Sequence, residues 1–125
     1  MKRYLLIAAL PLPMSMQQTL PAQPEPAPCQ ARLATHQEGN MLTLIGEGQN
    51  NTAHPMRLRY ELLTSRQGKA GTSRNAQSGN VTLAPNQKAA LSQTSINIAP
   101  SDHYQIHLRL FDSQNHVVAH DSLLQ

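Results

Sequence analysis

Six histidines, one cysteine and ten lysines and arginines are the side chains here with chemistry to offer. His107 and His120 fall in two alternating segments joined by Asp112-Ser113-Gln114-Asn115. A two-residue loop at Ser113-Gln114 pairs Asp112 with Asn115 and sets His107 directly opposite His120, where two imidazoles could share a metal. Zinc takes three or four protein ligands, and only distant carboxylates such as Glu61 are on offer. Solvated histidines and no metal site are therefore expected, with some gain of charge in acidic surroundings. Cys29 has no second cysteine to pair with, which leaves an unpaired thiol or a mixed disulfide.

Nucleophilic and phosphate chemistry lack their motifs. The chain has no Gly-x-Ser-x-Gly elbow, no paired carboxylates in a cleft pattern and no phosphate-cradling glycine loop. No enzyme activity and no cofactor are expected. The remaining candidates are cationic: Arg57 and Arg59 alternate with apolar residues along one segment, and His107 and Arg109 along another.

The elements that must position these groups are strands. From Cys29 onward apolar residues recur at period two, in short runs separated by Gly, Asn, Pro and Ser. Seven strands are predicted, at 30–36, 41–48, 56–66, 75–79, 87–98, 103–112 and 116–123, with 67–73 a flexible loop lacking an apolar anchor. In the third, Met56, Leu58, Tyr60 and Leu62 share a face opposite Arg57, Arg59 and Glu61. In the sixth, predicted to be central, Tyr104, Ile106, Leu108 and Leu110 oppose His103, Gln105, His107 and Arg109. Leu42, Leu44, Leu91, Ile96 and Ile98 supply the facing sheet. Asp102-His103-Tyr104 after Pro100 resembles a tyrosine corner, in which the phenol bonds to upstream backbone. The fold expected is an all-β, seven-stranded immunoglobulin-like sandwich, in which the third and sixth strands are neighbours. Arg57, Arg59, His107 and Arg109 then form one outward basic stripe, interrupted by Glu61. Such a stripe either binds an acidic partner or keeps a sheet face soluble.

At 125 residues the chain fits one domain. Lys2 and Arg3 precede the apolar run ending at Leu10, the order of a secretory signal, and Pro11 and Pro13 break the run before it could span a bilayer. The expected organisation is a signal segment at 1–22, cleaved between Ser15 and Gln23, a proline-rich tether at 23–28 and the sandwich at 29–125. Without Lys2 and Arg3 the formal charge falls from +3 to near +1, which does not indicate nucleic-acid binding. About a dozen large apolar side chains, at roughly 1.5–3 kcal/mol each when fully buried, offset chain entropy only narrowly.

Ser78-Gly79-Asn80-Val81-Thr82-Leu83-Ala84-Pro85-Asn86-Gln87, then Leu91, Ile96-Asn97-Ile98 and Pro100-Ser101-Asp102, resemble the curli amyloid-inhibitor family, the CsgH/CsgC-like curli assembly chaperones. The cadence is a short strand, a Leu-x-x-Asn-Gln turn, a strand ending Ile-Asn-Ile, and Pro-x-Asp leading into an alternating strand. It covers about half the chain, from Arg57 to Val118. The resemblance implies a periplasmic immunoglobulin-like sandwich that keeps curli major and minor amyloid subunits from polymerising before export, as a monomer, without ATP or cofactor. One branch of that family carries Cys-x-Cys at the start of the third strand, where this chain has Pro55, Met56 and Arg57, so redox activity is not implied. Asn50-x-Thr52 and Asn80-x-Thr82 match a glycosylation acceptor pattern but, with that bacterial resemblance, read as turn and strand residues. The alternatives are an adhesion or envelope-assembly adaptor built on the same sandwich, and a metal-binding domain resting on the histidines alone.

Overall fold

A computed structural model describes Pro11 and residues 27–125. The expected signal segment, its cleavage window and the tether as far as Pro26 lie outside the described residues, apart from Pro11. Seven strands follow: β1 (Cys29–Glu38), β2 (Met41–Asn50), β3 (Met56–Gly68), β4 (Gly71–Leu83), β5 (Lys88–Asn97), β6 (His103–Phe111) and β7 (Val117–Leu124). They form two antiparallel sheets, β1-β2-β5 and β4-β3-β6-β7, the sandwich expected from the alternating pattern. In a constant-type immunoglobulin domain the fourth strand joins the sheet of the first, second and fifth. Here β4 pairs with β3 instead and forms the edge of the four-stranded sheet.

The inner faces are built by period two. β6 buries Tyr104, Ile106, Leu108 and Leu110, while β3 buries Leu58 and Leu62 on the same side. Leu33, Leu42, Leu44 and Ile98 meet them from the other sheet. A second cluster gathers Cys29, Leu58, Leu83 and Leu110, and Ala31 and Tyr60 pack against both. At about 1.5–3 kcal/mol per large buried side chain, these contacts are the main favourable term.

Two segments differ from expectation. The stretch 67–73 is no flexible loop: β3 runs to Gly68 and β4 starts at Gly71, so the reversal is Lys69-Ala70. β4 is correspondingly 13 residues long. Its first half is exposed on both faces, so alternation cannot mark it; the backbone ladder with β3 carries it. A Cβ at Gly68 would overlap the Asp102 carboxylate, which would have to move from its place on the Ala99 amide.

The second difference is Tyr104. Its hydroxyl donates forward to Gln125 Oε1, not to upstream backbone, and the two residues also exchange both backbone bonds, at 2.9 and 3.0 Å. The turn before β6 is held by Asp102, which accepts from Ala99 N–H at 2.8 Å and donates its own N–H to Ala99 O at 2.9 Å. The acid closes the turn itself, so the phenol is free to tie down the chain after β7.

Candidate partner-binding face

The outer face of the four-stranded sheet collects the predicted site residues. β3 and β6 pair antiparallel with Glu61 opposite Arg109, Arg59 opposite Phe111, and Leu63 opposite His107. Arg57, Arg59, His107 and Arg109 therefore share one face, because opposed residues of an antiparallel pair project to the same side.

Their charges are not equally available. The Glu61 carboxylate lies between two arginines, 3.7 Å from Arg59 Nη1 and 3.9 Å from Arg109 Nη1. Arg59 is further fixed: Nη2 donates to Asn115 Oδ1 at 2.6 Å, and its guanidinium sits 4.0 Å from the centroid of the Phe111 ring. That stacking is worth about 0.5–1 kcal/mol at a part-exposed site. Arg57 is exposed and has no ion pair among the described residues. The stripe is thus a fixed Arg-Glu-Arg triad with one free arginine beside it.

Phe111, Asp112 and Asn115 had no place in the sequence reading of this face. A legible signal existed: at period two Phe111 follows His107 and Arg109 on the outward face, an aromatic ring among cations. The β6–β7 ladder shifts register there, with Val118 of β7 as the extra residue, while Phe111 keeps to the outer face and lies beneath Arg59. Asp112 then organises the turn, its Oδ1 accepting from the amides of Gln114 and His116 at 2.9 Å each. The His116 amide foremost, with that of Gln114, holds the carboxyl below the usual carboxylate range against an opposing effect of burial. Asn115 takes a left-handed φ of 66° and aims its amide at Arg59. Between this turn and β4 lies an open groove of about 520 Å3, lined by Arg57, Arg59, Asn80, Thr82, Asp112 and Asn115 among others.

The turn and the bulge together undo the predicted histidine pair. Asp112 and Asn115 do not close a two-residue loop; Phe111 pairs with Val117, and the connection is 112–116. His107 faces Ser122, and His120 faces Arg109. Among the described residues no group of three or more His, Cys, Asp and Glu is placed to hold a metal ion.

Two polar residues from the sequence have structural positions. Cys29 is 1% exposed in the second core cluster, and burial pushes its thiol pKa up. Asn50, of the acceptor-like Asn50-x-Thr52, is fully buried. Its Nδ2 reaches the carbonyls of His54, Leu83 and Ala84 at 2.7, 3.2 and 3.1 Å, and its Oδ1 accepts from Thr52 N–H and Oγ1 at 2.9 and 2.7 Å. It joins the β2–β3 turn to the end of β4.

Fold and face together define a small immunoglobulin-like sandwich whose charged surface is a sheet face rather than a cleft. Residues 27–122 match the profile of the thin aggregative fimbriae synthesis protein family, Tafi-CsgC, and the chain belongs to that family. The curli assembly protein CsgC of Escherichia coli O1:K1 / APEC is 33% identical over 81 residues, spanning 65% of this chain and 72% of that protein. The solved structure of E. coli curli protein CsgC in selenocysteine form superposes with a TM-score of 0.63 at 30% identity, covering 75% of this chain and 96% of that one. The solution structure of R. palustris CsgH, at 21% identity and a TM-score of 0.59, covers 77% and 91% and shares the fold.

Proposed function

We propose that this chain takes part in curli assembly as an exported, periplasmic inhibitor of subunit polymerisation, binding curli subunits transiently as a monomer. Catalysis and cofactors have no part in the proposal. The observation that carries it is the joining of Arg57, Arg59, His107 and Arg109 on one outer sheet face through the β3–β6 pairing. A cationic face steers an acidic, Asn- and Gln-rich subunit toward encounter, raising association rate more than affinity. Brief capture suffices, since nucleation needs several free subunits at once.

The test is thioflavin fluorescence of a purified curli major subunit, alone and with this protein at sub-stoichiometric ratios. Arg57→Glu is the cleanest variant, because Arg57 is exposed and unpaired, whereas Arg59→Glu also strips the cover from Phe111. A lengthened lag that Arg57→Glu shortens supports both the inhibitor and the face. No delay at any ratio rejects the inhibitor in favour of an envelope adaptor.

A further inference from the structure

Among the described residues the sandwich has four edge strands, and three of them are protected. β1 has its Leu33 amide taken by Asp121, which points inward from β7. β7 is bulged against β6, and β5 is bulged against β2 and begins with Lys88. Inward charges, bulges and lysines are the usual devices that stop a sheet edge from pairing with another chain.

β4 has none of these. It pairs with β3 at 13 consecutive positions without a register shift, and between Gly71 and Leu83 it contains no proline, lysine or acid. Among the described residues nothing pairs with its far side. At Gly79 even the side chain is missing, and the Tyr60 ring lies across the strand in its place. Residues of such an edge alternate between those whose N–H and C=O face β3 and those whose backbone groups face outward. β4 therefore holds a straight row of about six free donor–acceptor pairs.

Charge selects the occupant. The β3–β4 hairpin carries Arg57, Arg59, Arg66, Lys69 and Arg74 against Glu61 alone. A second copy of the hairpin would meet like charge, whereas an acidic extended segment would meet complementary charge.

We infer that the β4 edge receives an extended segment of an acidic, unfolded client as a fifth strand of the four-stranded sheet. This rests on the inhibitor reading and gives it a mechanism: a client strand hydrogen-bonded to β4 is withdrawn from pairing with other subunits. Backbone bonds hold it, so recognition tolerates variation in client sequence, while the basic hairpin favours acidic segments.

Hydrogen–deuterium exchange of the protein, with and without freshly denaturant-released curli major subunit, is the test. Alternate β4 amides should slow about tenfold when nine-tenths of the protein is loaded. Of Ala76→Pro and Gln77→Pro, one removes an amide used by β3 and the other an amide facing outward; the variant that keeps the parent's melting temperature blocks the edge. That variant should need about fivefold more protein for an equal lag. A lengthened lag with no protection on β4, or with protection only on other strands, overturns the edge and leaves the inhibitor standing. No lag and no protection overturn both.

Discussion

The backbone N–H of Leu33 in β1 donates to Asp121 Oδ2 in β7, at 2.8 Å, between residues 88 apart in the chain. β1 and β7 belong to different sheets, so this bond closes one lateral seam of the sandwich. It satisfies an edge amide that water reaches poorly and places a carboxylate where another strand would otherwise dock. Asp121→Ala should cost about 1–3 kcal/mol by urea unfolding, and Asp121→Asn less, because the amide oxygen still accepts. Equal costs for the two would show that the bond contributes nothing beyond packing.

Asn50 should be the most sensitive polar position. Asn50→Ala leaves three buried or part-buried carbonyls without a donor and frees the β2–β3 turn, a loss of roughly 2–4 kcal/mol. Asn50→Asp should be worse near neutral pH, since a carboxylate would face those carbonyl oxygens. Denaturant midpoints of the two variants give the order.

The Cys29 thiol should resist a thiol-specific reagent in the folded protein and react fully after unfolding. Its raised pKa means the folded state favours the protonated form. The associated stability is fully present below the unfolded thiol pKa, near 9.0, and is lost as pH rises through the folded value. Rapid labelling under native conditions would contradict this burial.

Asp112 works in the opposite direction. Its lowered pKa contributes order to the 112–116 turn above the unfolded carboxylate range, and that order is lost as pH falls through the folded value. The amide resonances of Gln114 and His116 should shift together in that acidic window and stay flat in Asp112→Asn.

Glu61→Gln should release Arg59 and Arg109 from their shared counter-charge. Exposed pairs of this kind contribute about 0–1 kcal/mol, so stability should change little. The freed charge should lengthen the lag of curli subunit polymerisation at low salt and fade at high salt. An unchanged lag would mean that the triad takes no part in capture.

Alternation in the amino-acid sequence alone determined the sheet faces. Met56 to Leu62 and Tyr104 to Leu110 assign core and solvent because successive strand residues must project to opposite sides, whatever the strand pairs with. It likewise placed Arg57, Arg59, His107 and Arg109 outward, and the immunoglobulin-like strand order made them neighbours. Register escaped it, since a turn one residue longer than expected and one bulged residue, Val118, together move His120 from His107 to Arg109. The full length of β4 escaped it too, because a strand half exposed on both faces carries no apolar period. Leu33 with Asp121, and Asn50 with Leu83, are distant in the chain and marked by no local pattern. Only the packing of one sheet on the other brings such donors and acceptors within reach.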